Sequence, residues 1–118
     1  MKIFVSLLSH PVTLYDELDQ PVFVLKPSGP VARVKPKHGT DAMVNGLPVA
    51  TIYNTVVGLP APKRDVIYVV SNMVAQLLAG SRQDIVAPDT GPGAVRDDEG
   101  KVVAVKGFQK WTTRARKK

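Results

Sequence analysis

The chain has 118 residues, of which 44% are hydrophobic and 22% charged, the composition of one ordinary globular domain. It contains no cysteine, which excludes disulfide bonds, a thiolate nucleophile and any metal site built on cysteine ligands. Ten prolines and nine glycines interrupt it so often that short strands and turns are expected to dominate.

The first third of the chain is predicted to consist of short strands. The opening MKIFVSLL alternates in polarity as a strand does, and His10-Pro11 ends its apolar run too early for a signal peptide. A second strand is predicted at 12–15, before an acidic turn. Two further strands, 22–25 and 31–34, are predicted to pair as a hairpin across a proline-rich turn.

The middle of the chain carries a strong turn signal. Asn45-Gly46 favours a two-residue hairpin turn, and the segment 49–57, rich in Val, Thr, Ile and Tyr, is predicted to be a strand. Before that turn, the prolines and lysines of 35–39 indicate an edge strand or an exposed loop. After it, the prolines of 58–62 predict a rigid connector.

A strand, a helix and a strand follow one another in the sequence IYVVSNMVAQLLAGSRQDIVAP. The apolar run 66–70 predicts a central strand buried on both faces. Ser71 or Asn72 is a suitable N-cap for a helix over about 72–79, whose apolar stripe would be Met73, Val74, Leu77 and Leu78, with Gly80 at its end. A last strand at 85–87 could then lie parallel to the strand at 66–70, or the helix could simply cover one face of a mainly antiparallel sheet.

The fold class that these elements favour is α+β. We expect a mainly antiparallel small β-sheet, or a barrel-like domain, with one short helix, because every other connection resembles a hairpin. One such hairpin is predicted around Asp98-Glu99-Gly100. A single domain is expected over residues 1–108, followed by a basic tail at 109–118.

The net charge of +6 is concentrated at the C-terminal end. Seven basic and no acidic residues follow position 100, whereas the first hundred residues hold nine basic and ten acidic ones. Cations interleaved with aromatic side chains are typical of an arm that contacts nucleic acid or an acidic surface, although a solvated terminus has the same composition. The predicted contact residues are Lys106, Lys110, Trp111, Arg114, Arg116, Lys117 and Lys118.

The start of the predicted helix is a candidate anion site. Ser71 and Asn72, with Arg33 and His10 as possible neighbours, could hold a phosphate or a carboxylate, although capping alone explains a serine there. Catalytic and metal-binding patterns are not found: the chain has no GxSxG motif, and its two histidines, His10 and His38, lack ligand spacing. We therefore expect no enzymatic activity, no metal and no cofactor.

Seven phrases between residues 7 and 108 together resemble a family of small bacteriophage proteins: LLSHPVTLY, ARV, NGLPV, GLPAP, IYVVSNMVAQLL, DIVAPD and VRDDEGKVVAVKGF. That family, found in tailed phages and prophages, typically shows NLTPHPV, GLPEP with YIVS and VA, and VRDEEGRVVG in the same order. The chain departs from it in Ser9, in Val105 or a neighbouring residue where a cysteine is common, and in a longer basic tail. The resemblance implies a phage origin and carries over no established activity or catalytic residue.

Small phage proteins without catalytic motifs usually act by binding, so the sequence leads to several functional hypotheses. The first is a non-enzymatic accessory protein that binds a host macromolecule, such as a host factor or a defence protein, in the host cytoplasm, with the basic tail contributing. The alternatives are a nucleic-acid or ribonucleoprotein-binding protein, a protein that sequesters a small anionic ligand such as a nucleotide, and a minor virion component. No membrane association is expected, and an oligomer is possible.

Overall fold

The computed structural model describes residues 1–112, and in this part of the chain it has twelve strands and one helix. In chain order they are β1 (Ile3–Ser6), β2 (Val12–Tyr15), β3 (Pro21–Leu25), β4 (Arg33–His38), β5 (Ala42–Val44), β6 (Leu47–Val49), β7 (Ile52–Val57), β8 (Val66–Val69), α1 (Asn72–Leu77), β9 (Ile85–Pro88), β10 (Val95–Arg96), β11 (Val102–Ala104) and β12 (Phe108–Gln109). The fold is thus mostly β with one short helix. The described strands form one four-stranded and four two-stranded sheets and do not close into a barrel.

The largest sheet has the strand order β1-β8-β9-β12, and β8 lies at its centre. Tyr68 and Val70 point into one hydrophobic cluster and Val69 into another, so both faces of this segment are covered. The prediction of a central strand buried on both faces is confirmed. A continuous apolar run is what a strand covered on both faces requires.

The strand at 85–87, whose direction the sequence left open, is parallel to β8, and the mainly antiparallel arrangement that we favoured does not hold for this sheet. β8 pairs in parallel with both β1 and β9, and only β12 runs antiparallel in this sheet. The amide of Val70 donates to the carbonyl oxygen of Val86 at 2.9 Å, which extends the parallel ladder. The segment 71–84, with α1 inside it, is long enough for the crossover that parallel strands need. Hairpins elsewhere in the chain carry no information about this connection.

The helix is shorter than predicted, and half of the predicted apolar stripe, Val74 and Leu78, packs against the first core cluster. It begins at Asn72 with Ser71 as N-cap, and Gly80 adopts a φ of 81° beyond its end. Val74 is buried as expected, but its neighbour Ala75 is the second buried residue of the helix. Met73 and Leu77 were predicted to belong to the buried stripe and are exposed, because the helix packs its 74–75 side on the central sheet.

The predicted hairpin between 22–25 and 31–34 does not form. β3 pairs with β2 across the acidic turn, and β4 pairs with β7. The proline-rich segment between β3 and β4 instead lies along the end of β1, where the amide of Ser28 donates to the carbonyl of Ser6 at 2.9 Å. It carries the chain from one sheet to another, which a turn-residue pattern alone cannot distinguish from a hairpin.

Two other predicted hairpins are confirmed. The β5–β6 hairpin turns at Asn45-Gly46, whose φ angles of 51° and 80° are both positive, as a type I′ turn requires. The β10–β11 hairpin has Gly100 in its loop at a φ of 82°. The predicted single strand at 49–57 is divided, since β6 ends at Val49 and β7 begins at Ile52.

Two hydrophobic clusters hold the body of the molecule together, one on each face of the central sheet. The first contains Leu7, Ala32 and the buried side of α1. The second contains Leu8, Val12 and Val105, and β10–β11 packs beside it through Val102. Helix and sheets therefore form layers on either side of β8, which is the arrangement that lets a small domain bury both faces of one strand.

Candidate binding surface

Residues 33–57 form a β-ribbon that is anchored at one end and exposed at the other. β4 pairs with β7 near the body, and β5 pairs with β6 toward the tip. Val34 and Val56 pack against the first core cluster and attach the base of the ribbon. All fifteen residues from 40 to 54 are exposed. The outer part of the ribbon is therefore surrounded by solvent in the free protein.

Local hydrogen bonds shape the β-ribbon without help from a core. The hydroxyl of Thr55 donates to the carbonyl of Lys35 at 3.0 Å, and the amide of Gly39 donates to the carbonyl of Thr51 at 2.6 Å. The register moves by one residue between the β4–β7 ladder and the β5–β6 ladder. An irregularity of this kind bends and twists a two-stranded ribbon, so its two segments present separate surfaces.

The first of these surfaces is basic. Arg33, Lys35 and Lys37 alternate along β4 and therefore share one face of the ladder. Their direct partners on β7 are Val57, Thr55 and Tyr53, which places no acidic side chain opposite them. All three cations are exposed, and none forms an ion pair within residues 1–112. We call Arg33, Lys35 and Lys37 the basic face of the β-ribbon.

The second surface is apolar. In the tip of the β-ribbon, Met43 and Leu47 are each 68% exposed, and three further large aliphatic side chains nearby in the chain are exposed as well. We define the apolar tip as Met43, Val44, Leu47, Val49 and Ile52, all exposed. Burial of one such side chain by a partner contributes about 1.5–3 kcal/mol. Val44, Leu47 and Val49 share one face of the β5–β6 ladder, and Met43 lies on the other face. Exposed apolar side chains grouped on a projecting element are typical of an interaction site.

The described part of the basic C-terminal end is bound to the body. The ammonium group of Lys106 lies 2.9 Å from a carboxylate oxygen of Asp19, in the β2–β3 turn. Lys110 donates to the carbonyl of Gln83 at 2.8 Å. Arg114, Arg116, Lys117 and Lys118 were also predicted to make contacts, and they lie outside the described residues. Lys106 and Lys110 thus already have partners within the protein.

Asn72 is the residue that attaches this C-terminal segment to the start of the helix. Its side-chain oxygen accepts from Nε2 of Gln109 at 2.6 Å and from Nε1 of Trp111 at 3.4 Å. Its amide nitrogen donates to the carbonyl of Pro88 at 3.4 Å and to Thr90 Oγ1 at 3.3 Å. Asn72 therefore joins the helix, β9 and the C-terminal segment, a structural task that its position after a strand did not reveal.

The structure places the four candidate anion-site residues in three different settings. Ser71 Oγ accepts from the amide of Val74 at 3.3 Å, which is the capping role, and Asn72 is engaged as above. Arg33 belongs to the basic face of the β-ribbon. His10 lines a cavity of about 270 Å³ whose lining includes neither Ser71 nor Arg33. Among the described residues, Thr13 and Thr90 are the only ones besides His10 that give that cavity polar side chains.

An ion pair at the other end of α1 is structural. Nε and Nη2 of Arg82 each donate to a carboxylate oxygen of Asp84 at 2.8 Å, and Nη2 also donates to the carbonyl of Pro60 at 3.1 Å. The hydrogen bonds from Arg82 lower the pKa of the Asp84 carboxyl below its ordinary value, although partial burial opposes them. The pair fixes the connector 58–62 beside the segment that leads into β9.

Residues 1–112 hold no group of three or more histidine, aspartate or glutamate side chains placed to bind a metal ion. In the same residues, no helix combines the length and the apolar character needed to cross a membrane. Comparison with protein-family models, with curated proteins and with solved structures found no match to this chain. The case for function therefore depends on the surfaces of the molecule itself.

Sequence reasoning missed the β-ribbon as a binding surface. It treated the first hundred residues as nearly neutral, which is true of their sum and conceals the three cations of ARVKPKHG. The alternation of Arg33, Lys35 and Lys37 was the available signal, since residues two apart share one face of a strand. This alternation has meaning only if one strand includes all three cations. β4 does so by continuing through Pro36, where we expected an edge strand or an exposed loop.

Proposed function

We propose that the protein is a non-enzymatic bacteriophage accessory protein that binds a host macromolecule through the β-ribbon. It would act in the host cytoplasm as an inhibitor of a host factor or of a defence protein, with the basic C-terminal end adding to the contact. The observation that carries the proposal is the exposure of all residues from 40 to 54, five of them the large aliphatic side chains of the apolar tip.

The energetics of a free hairpin support this reading. An isolated two-stranded hairpin is at best marginally stable in water, and ordinary soluble domains cover or charge their exposed strands. The β-ribbon instead exposes Val44, Leu47 and Val49 around its turn. Burial of these side chains by a partner would stabilise both the complex and the ribbon. A role in binding explains why the chain retains apolar residues that its own core does not use.

Sequestration of a small anionic ligand has weaker support. Ser71 and Asn72 use their side chains for capping and for attachment of the C-terminal segment. The cavity beside His10 is lined mostly by proline, valine and alanine, and among residues 1–112 no arginine or lysine lines it. His10, Thr13 and Thr90 could donate hydrogen bonds to a nucleotide phosphate there, but no lysine or arginine of residues 1–112 provides the positive charge.

The proposal is tested by affinity capture from host lysate with the immobilised full chain. The tip variant carries Leu47→Thr and Val49→Thr, which keep β-propensity and remove apolar surface. The matched control carries Met73→Gln and Leu77→Gln, two exposed apolar residues of α1. A third variant replaces Arg114, Arg116, Lys117 and Lys118 with glutamine. Its loss of binding relative to the wild type gives the contribution of the basic C-terminal end.

The expected result is one macromolecule retained by the wild type and by the helix control. The tip variant should then bind that partner, once purified, at least about tenfold more weakly, since about 1.4 kcal/mol of lost contact changes affinity by that factor. Equal retention by wild type and tip variant would contradict the proposal. So would a partner lost only by the helix control.

A further inference from the structure

The basic face of the β-ribbon has the geometry of a binding site for the nucleic-acid backbone. Arg33, Lys35 and Lys37 repeat every second residue along one strand, which spaces them about 6.7 Å apart. Each strand of B-form DNA has a phosphate every 3.4 Å along the axis, so the spacing of the cations corresponds to about two phosphate intervals measured along that axis.

The residues around the three cations also suit binding of a phosphate backbone. The residues opposite the three cations are Val57, Thr55 and Tyr53, and none of them is acidic. Within residues 33–57 the only carboxylate is Asp41, and it lies 2.6 Å from Nε2 of His38. No carboxylate of the β-ribbon other than Asp41 thus competes with an incoming phosphate, and the exposed ring of Tyr53 lies directly across the ladder from Lys37.

The shape of the β-ribbon also suits nucleic acid. A two-stranded ribbon is narrow enough to enter the major groove of B-form DNA, which is about 12 Å wide. An exposed aromatic ring beside cations is also the arrangement on which bases of a single strand stack. An acidic protein surface could pair with the same three cations, but it has no need of the exposed aromatic ring that lies across the ladder from Lys37.

We infer that the β-ribbon binds the phosphodiester backbone of a nucleic acid through Arg33, Lys35 and Lys37. This inference rests on the proposed function, of which it names the partner class for one surface. The contacts are electrostatic and independent of base sequence, because phosphates carry no sequence information. The apolar tip is a separate set of residues, so the two surfaces can be tested one at a time.

The experiment measures binding of the full chain to a labelled 20-base-pair DNA duplex and to a 20-nucleotide single strand across a series of salt concentrations. One variant carries Arg33→Gln, Lys35→Gln and Lys37→Gln. The matched control carries Lys2→Gln, Arg64→Gln and Lys101→Gln, which removes the same charge from exposed positions outside the ribbon. Far-ultraviolet circular dichroism confirms that each variant is folded.

For the duplex, the plot of log affinity against log salt should lose about 2.7 in slope in the ribbon variant, because three phosphate contacts are removed. The gap between wild type and ribbon variant should therefore widen about 20-fold for each threefold decrease in salt. The loss of slope for the single strand should be about 2.1. The control variant should keep a slope close to that of the wild type, with any decrease smaller than that of the ribbon variant.

Equal slopes for the ribbon variant and the control would overturn the inference, as would absence of binding to both probes at 50 mM salt. If the ribbon variant instead loses a host protein captured from lysate and binds neither probe differently, the basic face serves an acidic protein. That outcome contradicts the nucleic-acid assignment and leaves the proposed function standing. If the tip variant captures the host macromolecule as well as the wild type does, the proposed function is contradicted, whereas the nucleic-acid inference is not.

Discussion

The body and the β-ribbon use the same kinds of residues in opposite ways. In the body, Val69, Val70 and Ala87 have no exposed surface, and their burial on two faces of one sheet specifies the fold. In the ribbon, equally apolar residues such as Val44 and Leu47 are mostly exposed. The difference teaches that apolar residues in this chain serve folding in the body, whereas in the ribbon they remain exposed and are available for the binding that we propose.

The largest effect that separates the two regions should come from a pair of leucines. Leu7 is 1% exposed, so Leu7→Ala should lower the free energy of unfolding by about 2–5 kcal/mol through lost contacts and a cavity. Leu47→Ala, at an exposed position, should change it by no more than about 0.5 kcal/mol. Urea denaturation of both variants makes the comparison. Similar losses would mean that the ribbon is packed in solution.

Two glycines with nearly the same backbone angle give the next contrast. Gly58 and Gly46 have φ of 84° and 80°, but a Cβ on Gly58 would lie 2.5 Å from the carbonyl oxygen of Val31, whereas Gly46 faces open space. Gly58→Ala should therefore destabilise the protein by about 2–4 kcal/mol, from strain and overlap together. Gly46→Ala should lose about 1–2 kcal/mol from strain alone. Thermal denaturation distinguishes them, and equal losses would refute the close approach.

A smaller effect on stability is expected at the ion pair between Arg82 and Asp84, beside the connector 58–62. Asp84→Asn should lower the free energy of unfolding by about 1.5–3 kcal/mol at neutral pH, because it weakens two charge-assisted hydrogen bonds from Arg82. Asp98→Asn, at an exposed position, is the control.

The pH dependence of that effect follows from the pKa of Asp84. Its pKa is lower in the folded protein than in the unfolded chain, so its contribution is complete above the ordinary aspartate pKa of about 3.9. The contribution is lost as the pH falls through the lowered pKa. Denaturation curves of wild type and Asp84→Asn should therefore converge in acid. A difference that persists to low pH would contradict this account.

The smallest effect is expected where the C-terminal segment meets the helix. Asn72→Ala removes hydrogen bonds to Gln109 and Trp111 and should lower overall stability by about 1 kcal/mol. Its clearer result should be faster limited proteolysis after residue 104, since the segment is then held by fewer contacts. Gln76→Ala, on the exposed side of α1, provides the control. Unchanged proteolysis would show that other contacts hold the segment.

The elements that were predicted correctly are those that local chemistry determines. The apolar run of β8, the cap at Ser71 and the turns at Asn45-Gly46 and Gly100 follow from burial, hydrogen bonding and φ preference of a few residues. The pairing of β4 with β7 could not be predicted in this way. It joins residues about twenty positions apart, and the proline-rich segment before β4 resembled a hairpin turn.

The candidate site was less predictable than the fold. The sum of charges over a hundred residues pointed to the C-terminal end, whereas a surface depends on which side chains share a face. The partners of Lys106 and Lys110 could not be predicted from the sequence either. Lys106 pairs with Asp19, and Lys110 donates a hydrogen bond to the carbonyl of Gln83. The exposed state of Leu47 was equally hidden, since an apolar residue in a strand is normally expected to be buried.

The central claim is that recognition belongs to the β-ribbon, and amide hydrogen exchange tests it most directly. Exchange is measured for the full chain alone and with the macromolecule retained in the capture experiment. The account predicts slower exchange concentrated at residues 40–54 and along β4, with the central sheet unchanged. Protection confined to α1 or the central sheet, with the ribbon exchanging as in the free protein, would contradict it.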